Sequence, residues 1–354
     1  MDQLRAGVLV TRLVVHIGAQ RTASPGFHKS LFGNADTLLQ HGVLVPAAGR
    51  PDSSPRAVRH QLLAWSFDPD GDHPYDATVW DALHEEIAAT SAHTVLLSSE
   101  LFAAVAADPA SAPLLRNRLR ALSDDVTMVL LVRDQLDLLN SLYCQQVRSL
   151  ELTCDFDGYL ADSPDTHVYD FAASFAPWYA ADDVSFVAMP WDPRTDEDTL
   201  PALLSLVGIS VAPDVLVPGD GEGDLLGPVG IEANRLLGSY LRGRFPGFRP
   251  GEPAARKLRR KAAAAGQSHS WDNDEFWAWS PQQAARAAER YATSNQEFAR
   301  HVLGANWDLP APVDRERNVA ELVELGPASV NQVHRYLIEM EEAFERLRRR
   351  EAAA

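Results

Sequence analysis

Four short, largely apolar runs, rich in Val and Leu, are the most regular feature of the chain. They cover Val8–Ile17, Thr94–Ser98, Val126–Val132 and Val184–Ala188, and each is bounded by polar or turn-forming residues. Half-exposed strands alternate apolar and polar positions, whereas strands buried on both faces of a parallel sheet are apolar throughout. The runs therefore predict buried parallel strands.

Segments with helical periodicity lie between these runs. They are Gly26–His41, Val79–Ala92, Ala112–Leu122 and Gln135–Ser149. Strands that alternate with helices indicate an open α/β sheet with right-handed crossover connections. We therefore predict an α/β fold with three layers, in which helices flank a mostly parallel central sheet.

The pattern becomes less regular after residue 190. Four further helices are predicted there, at Thr199–Leu206, Val229–Leu241, 281–303 and Ser329–Glu351. In the last of these, apolar residues recur at a spacing of three and four, at Val330, Val333, Leu337, Met340, Phe344 and Leu347. Such a seam packs against a partner helix, which lies either in the same domain, the favoured alternative, or in a second copy of the chain as a homodimer. We divide the chain into one domain, 1–310, and a linker with this C-terminal amphipathic helix, 311–354.

Composition and charge narrow the choice of ligand. Apolar residues make up 46% of the chain and charged residues 23%, as is usual for globular proteins. The formal net charge is −17, and the only lysines are Lys29, Lys257 and Lys261. A field of this sign repels nucleic acid and anionic lipid, so we expect neither as a partner, and an anionic ligand must be met by local arginines.

The cysteines and the N-terminus bear on location. Cys144 and Cys154 are the only cysteines, which is too few for a disulfide framework, and no Cys/His spacing indicates a metal site. The apolar stretch near the N-terminus is interrupted by Arg12 and His16 and lacks the features of a signal peptide. We expect a cytoplasmic protein without a bound metal.

A first candidate site for an anion follows the first strand. The strand ends near Ile17, a loop contains Arg21, and a helix begins at Pro25 and Gly26. Backbone N–H groups at a helix N-terminus, the helix dipole and an arginine attract phosphate or sulfate. Proline is well tolerated at the first helical position because its missing N–H would be unpaired anyway. The alternative is an ordinary capped helix.

A second candidate follows the strand Val126–Val132. Arg133 lies at its carboxyl end, and Ser141 comes eight residues later, about two turns into the next helix. Open α/β sheets bind ligands along the carboxyl edge, and a guanidinium with a hydroxyl suits a phosphate dianion. The alternative is that Arg133 pairs with a neighbouring carboxylate, Asp134 or Asp137.

Taken together, these elements resemble the bacterial sulfotransferases that use 3′-phosphoadenosine 5′-phosphosulfate. The resemblance runs through six blocks, namely His16–Pro25, Leu38–Pro46, Leu96–Glu100, Val129–Tyr143, Trp279–Gln283 and Glu289–Arg300. It implies a P-loop-like sulfotransferase fold, the phosphosulfate nucleotide as co-substrate, and a small-molecule or sugar acceptor with a hydroxyl or amine.

The resemblance also implies roles for individual residues. The first loop would hold the 5′-phosphosulfate, through Arg21, Thr22, Ala23, Ser24, Pro25 and Gly26, and the pair Arg133 and Ser141 would hold the 3′-phosphate. The family usually has Lys-Thr-Gly-Thr-Thr/Ser in this loop, so Arg replaces Lys, Ala replaces Gly and Pro replaces a hydroxyl residue. An alternative is therefore a catalytically altered member with a binding or scaffolding role.

Sulfuryl transfer is an in-line displacement that depends on positioning and charge stabilisation, like phosphoryl transfer. Arg21 is the candidate cation for the bridging oxygen of the leaving nucleotide. Glu100, which follows the strand Thr94–Ser98, is the first candidate for the base, and His60 is the second. Glu100 could instead stabilise a helix N-terminus, and His60 could be structural. A kinase or NTPase is disfavoured because the chain lacks Gly-x4-Gly-Lys-Ser/Thr.

Two clusters near the C-terminus have two interpretations each. Trp271, Phe276, Trp277 and Trp279 either pack in the core or line an acceptor site. The basic run Arg256–Lys261 is either a solvated helix face or a contact for the 3′-phosphate.

Overall fold

The computed structural model describes residues 12–18, 25–51, 59–67, 78–162, 169–191, 199–219, 226–271, 274–309, 311–322 and 324–352. They form two compact units. The sheet unit takes its described residues from 1–134, 166–223 and 290–310, and the helical unit takes its residues from 135–165, 224–289 and 311–354.

The sheet unit contains five parallel strands, which confirms the predicted fold class. They are β1 (Arg12–His16), β2 (Val43–Leu44), β3 (Thr94–Ser98), β4 (Val126–Val132) and β5 (Ser185–Pro190), in the order β2-β3-β1-β4-β5. Within β1, β3 and β4 almost every residue is buried, because helices cover both faces.

Helices on the two faces complete three layers. Apolar side chains of α1 (Pro25–Gly33), α2 (Ala35–Gln40) and α10 (Thr199–Leu206) pack with Val14, Leu96 and Val129. The opposite face, with Val15, Leu97 and Leu130, is covered by the helices α3 (Gln61–Trp65), α4 (Thr78–Ala89), α5 (Phe102–Ala107), α6 (Ala112–Leu122) and α9 (Phe171–Tyr179).

The strand order creates a switch point between β1 and β4. The chain leaves β1 towards β2 on one side of the sheet, whereas it leaves β4 towards β5 on the other side. Where neighbouring strands connect in opposite directions, a crevice opens outside their carboxyl ends, and ligands of open α/β sheets bind there. Ile17 and Gly18, which follow β1, and Arg133 and Asp134, which follow β4, lie at this end of the two strands.

The helical unit comprises α7 (Gln135–Arg148), α8 (Phe156–Asp162), α11 (Pro228–Arg244), α12 (Pro253–Ser268), the first half of α13 (Pro281–Phe298) and α14 (Pro327–Ala352). The predicted C-terminal helix is confirmed, and it packs against α11 and α12. Val333, Met340 and Phe344 of the predicted seam are buried there. This is the intrachain alternative, and a homodimer contact through α14 stays a prediction.

Several predicted boundaries differ from the observed ones. The predicted helix Gly26–His41 is divided at Asn34 into α1 and α2, and the helix predicted at 281–303 changes to a π-helical turn at Ala299–Leu303. Of the first predicted strand, Arg12–His16 is observed as β1, and residues 8–11 lie outside the described part of the chain. None of the helices in the described ranges is both long and apolar enough to cross a membrane.

Candidate functional site

The first turn of α1 lies at the carboxyl end of β1. The ring of Phe27 contacts that of His16 at a centroid distance of 4.8 Å. Gly18 turns the chain at the end of the strand with a φ of +34°, a conformation that favours glycine. The first turn of α1 contains no acidic residue, so its N–H groups and dipole give this edge a positive potential.

Only part of the predicted first loop can be placed. Pro25 is the first residue of α1, as predicted, and Gly26 is buried. Arg21, Thr22, Ala23 and Ser24 lie outside the described residues, so their roles stay predictions.

The loop that contains Val217 is hydrogen-bonded to α1 and to Asn34, the residue that follows α1. Asn34 donates to the carbonyl oxygen of Val217 at 2.9 Å and accepts from its N–H at 2.8 Å. Ser30 Oγ donates to the same carbonyl at 2.9 Å. The backbone of Gly219 then passes so close to Gly26 that an added Cβ would overlap the carbonyl oxygen of Gly26. The start of α1 is therefore held by a neighbouring backbone.

Arg133 follows β4 at the same edge of the sheet and is only 7% exposed. Its guanidinium carbon lies 5.3 Å from the ring centroid of Trp191, which follows the neighbouring strand β5. Trp191 donates its backbone N–H to Val132 at 2.7 Å. The cation–π contact therefore holds the guanidinium beside the strand ends. Arg133 borders the crevice between β1 and β4.

Ser141, the predicted partner of Arg133, lies half-buried in α7. That helix belongs to the helical unit, whereas Arg133 belongs to the sheet unit. The pairing of the two side chains on one phosphate stays a prediction.

Glu100 lies at the carboxyl edge, two residues beyond β3, and its side chain is 17% exposed. One carboxylate oxygen, Oε1, pairs with the guanidinium of Arg59. The other, Oε2, lies 3.9 Å from Nε2 of His28 and accepts no hydrogen bond from any described residue. Glu100 directly precedes Leu101, the N-cap of α5, so its position also fits the alternative of a carboxylate at a helix N-terminus, whereas the contacts of its carboxylate are to Arg59 and His28.

His16 and His28 complete this group. His16 is fully buried, with Nδ1 2.8 Å from Oγ of Ser98 on β3, and its Nε2 has no hydrogen-bond partner in the part of the chain that the structure describes. Burial lowers the pKa of His16 to about 3. Burial, with smaller effects from His16 and Arg59, also holds the pKa of His28 well below its ordinary value. Both rings are therefore neutral at neutral pH, and the contact of His28 with Glu100 is not an ion pair.

His60 is also near this edge, but both of its ring nitrogens bind backbone. Nδ1 accepts the N–H of Ser98 at 2.9 Å, and Nε2 lies 3.0 Å from the carbonyl oxygen of Pro46, to which it donates. The ring is fully buried, and burial lowers its pKa to about 4. A base needs a free nitrogen that reaches the substrate. This geometry favours the structural alternative for His60 over the predicted catalytic role.

The aromatic cluster lies in the helical unit, where all four of its members are buried. The indole N–H of Trp279 donates to Leu136 at 2.9 Å, and that of Trp271 donates to Gln332 at 3.2 Å. Packing is therefore the interpretation that the contacts favour. Phe276 also stacks on Tyr143 and, with it, lines a cavity of about 270 Å³ within this unit.

The basic run lies on α12. Arg256, Lys257, Arg260 and Lys261 are exposed, whereas Arg259 is half-buried and is influenced by the charge of Glu151. Lys257 pairs with Glu351 at 3.3 Å. These contacts agree with a solvated helix face, and the run belongs to the helical unit.

Sequence reasoning did not identify Arg59, His28 or His16 as site residues. Arg59 belongs to no recognisable motif, and the sequence analysis proposed the adjacent His60 as a candidate base instead. His28 had a usable signal, because it is a titratable residue in the first turn of the helix that follows the predicted anion-binding loop.

Comparisons with known proteins add no assignment. Protein-family models, curated proteins and solved structures give no match to the chain. Across the described ranges, no group of three or more His, Cys, Asp and Glu side chains is arranged to hold a metal ion.

Proposed function

We propose that the protein transfers a sulfuryl group from 3′-phosphoadenosine 5′-phosphosulfate to the hydroxyl or amine of a small-molecule or sugar acceptor. The observation that carries this proposal is the buried Arg133 at the switch point between β1 and β4, at the same sheet edge as the N-terminus of α1. Two sources of positive potential at one crevice suit a ligand with two phosphate-type groups.

The residues at this edge fit such a nucleotide. The N-terminus of α1 and, by resemblance, Arg21 would hold the 5′-phosphosulfate, and Arg133 with Ser141 would hold the 3′-phosphate. The nucleotide supplies an activated sulfuryl group. Oε2 of Glu100 is the candidate proton acceptor because it is buried at this edge and accepts no hydrogen bond from the described residues.

The proposal extends to the setting of the protein. We infer a cytoplasmic bacterial enzyme that binds neither nucleic acid nor membrane, on the basis of the net charge of −17 and the resemblance to bacterial sulfotransferases. A homodimer through α14 is the alternative to a monomer.

A second candidate function is binding without catalysis. It is favoured by the departures of residues 21–25 from the family loop, which remove a glycine and a hydroxyl. A binding protein would retain the nucleotide but release no product, so an activity measurement separates the two.

The test incubates the protein with the phosphosulfate nucleotide and a panel of alcohols, amines and sugars, and measures formation of adenosine 3′,5′-bisphosphate. We expect release by the wild type and a decrease in kcat of at least ~100-fold in Glu100→Gln. Glu85, an exposed glutamate of α4, supplies the control Glu85→Gln, which we expect to be unchanged. Equal activity of Glu100→Gln and wild type would show that Glu100 is not the base. No release by the wild type, with the nucleotide bound, would favour the binding protein.

A further inference from the structure

Three polar atoms at the carboxyl edge of the sheet are buried and have no hydrogen-bond partner among the residues that the structure describes. They are Nε2 of His16, Nε2 of His28 and Oε2 of Glu100. A buried polar atom that stays unpaired destabilises the folded protein, and an unpaired buried group in a native protein calls for an explanation. The atoms come from β1, from α1 and from the segment after β3, so the fold gathers them in one place. This arrangement points to a polar ligand group that binds here.

The spacing of two of these atoms fits a single oxygen. Nε2 of His28 and Oε2 of Glu100 are 3.9 Å apart, which is too long for a direct hydrogen bond, but one oxygen atom can lie within ~2.8 Å of both. Arg59 holds the other carboxylate oxygen. The carboxylate is thus anchored on one side and presents Oε2 to the same point as His28.

The charges around His28 decide which of its nitrogens carries the proton. Among the described residues, the titratable and charged groups that face it are His16 on β1, Arg59 and His60 before α3, and Glu100 after β3. Because the ring is 5% exposed, it is neutral and has one N–H. Glu100 is the only anion in this set, and it lies beside Nε2. Its field therefore favours the tautomer with the proton on Nε2.

We propose that His28 and Glu100 form a two-point receptor for the nucleophilic hydroxyl of the acceptor, and that His28 selects a hydroxyl over an amine. The inference rests on the proposed sulfuryl transfer and narrows its acceptor class. A hydroxyl oxygen has two lone pairs, so it can accept the N–H of His28 with one and attack with the other. A neutral amine has a single lone pair, which a hydrogen bond from His28 would occupy, and an ammonium has none.

The transfer step balances with these groups. The hydroxyl oxygen forms a bond to the sulfur, and the bond from the sulfur to the bridging oxygen of the nucleotide breaks. The electron pair of that bond leaves with adenosine 3′,5′-bisphosphate. The hydroxyl proton passes to Oε2 of Glu100 and then to solvent, and the N–H of His28 keeps its proton throughout. The products are a sulfate ester, the bisphosphate and one proton.

The first test reads the tautomer of His28 directly and requires no acceptor. Two-bond ¹H–¹⁵N correlation spectra of protein labelled with ¹⁵N-histidine distinguish the two neutral forms and the protonated ring, and His28→Gln assigns the signal. We expect a neutral ring with the proton on Nε2 at pH 7. A proton on Nδ1, or a protonated ring, would overturn the receptor.

The second test measures selectivity with alcohol and amine pairs of the same carbon skeleton, such as 2-phenylethanol and 2-phenylethylamine. We expect the wild type to prefer the alcohol by at least about tenfold in kcat/KM. His28→Phe should lower this ratio by about tenfold or more, and His28→Gln, which keeps an N–H donor, should lower it less. His41→Phe, at an exposed histidine of the same unit, is the control.

The outcomes separate this inference from the proposed function. Preference for the amine, or the same ratio in His28→Phe and wild type, overturns the role of His28 while sulfuryl transfer stands. Absence of bisphosphate release with every acceptor, by a wild type whose His28 has the expected tautomer, counts against sulfuryl transfer itself and hence against the receptor.

Discussion

Three buried histidines at the carboxyl edge of the sheet differ in what their ring nitrogens contact. His60 binds backbone with both nitrogens, His16 contacts Ser98 with one, and Nε2 of His28 is buried without a hydrogen-bond partner among the described residues. A buried histidine with two backbone partners stabilises the fold, whereas one with an unpaired nitrogen is available for a ligand. Two predictions separate these roles.

Replacement of His60 tests its structural role. His60→Leu leaves the N–H of Ser98 and the carbonyl of Pro46 buried and unpaired, so we expect the free energy of unfolding to fall by at least ~2 kcal/mol. Urea denaturation followed by circular dichroism measures the change. His41→Leu, at an exposed position, should change it by less than about 0.5 kcal/mol. Equal effects of the two substitutions would contradict the role of His60.

The buried histidines also predict how stability depends on pH. In the folded protein the pKa of His16 is about 3 and that of His60 is about 4, whereas an unfolded chain has the ordinary value of 6.5. Below pH 6.5 the unfolded state therefore binds more protons, and stability decreases as the pH falls towards the folded values. Each histidine contributes a slope of up to about 1.4 kcal/mol per pH unit.

Urea denaturation between pH 7 and pH 4.5 measures this slope. We expect His16→Asn, which keeps a polar atom towards Ser98, to decrease it by about 1.4 kcal/mol per pH unit. His41→Asn should leave the slope unchanged. A slope in His16→Asn that equals that of the wild type would show that His16 is not buried as a neutral ring.

At the scale of the element, α1 depends on a distant part of the chain. Its first turn contacts the backbone of Gly219. Ser30 of α1, and Asn34 directly after the helix, donate hydrogen bonds to the carbonyl oxygen of Val217. The helix has nine residues, and isolated helices of this length are marginal in water. Its position at the end of β1 therefore comes from tertiary contacts.

Gly219→Ala tests whether this contact supports the anion site. The added Cβ would overlap the carbonyl oxygen of Gly26, so the backbone must move at the start of α1. We expect affinity for adenosine 3′,5′-bisphosphate to decrease about tenfold or more, since helix N-terminal N–H groups must point at the ligand. At Gly251 an added Cβ meets nothing within 4 Å, and Gly251→Ala should bind as the wild type does. Equal affinity of Gly219→Ala would place the nucleotide away from this turn.

Element boundaries show what a sequence can predict. β3 and β4 were predicted at their observed bounds, because each is a short, largely apolar run between polar neighbours. All of their residues are buried in the structure. β2 was not recognised, because only Val43 and Leu44 pair with β3. α9 was also missed, since it is short and contains Pro177. The break at Asn34 arises from its bonds to Val217, 183 residues away, and no local pattern contains that information.

For the candidate site, the sequence likewise predicted some of the residues but not their contacts. Arg133 and Glu100 were located at the sheet edge because each follows a recognisable strand. The contacts of Glu100 with Arg59 and His28 depend on how the connections between strands fold back, so sequence spacing did not reveal them. The structural role of His60 could likewise be recognised only once the positions of Pro46 and Ser98 were known.

At the scale of the whole molecule, the net negative charge disfavours binding of the anionic nucleotide that we propose as the ligand. The chain carries a formal charge of −17, and a nucleotide with several negative charges is repelled at long range. Binding must therefore come from a few local groups, of which Arg133 is the buried one at the switch point. The division into a sheet unit and a helical unit assigns Arg133 and Ser141 to different units, which makes Arg133 the more direct residue to test.

Titration calorimetry with adenosine 3′,5′-bisphosphate, on the wild type and on Arg133→Ala, tests the central claim most directly. We expect the wild type to bind one equivalent and Arg133→Ala to bind at least ~10-fold more weakly, because it loses a charge-assisted contact of about 1.5–3 kcal/mol. Arg256→Ala, on the exposed face of α12, is the matched control and should bind as the wild type does. Absence of binding to the wild type, or the same affinity in Arg133→Ala, would contradict a bisphosphate site at the switch point between β1 and β4.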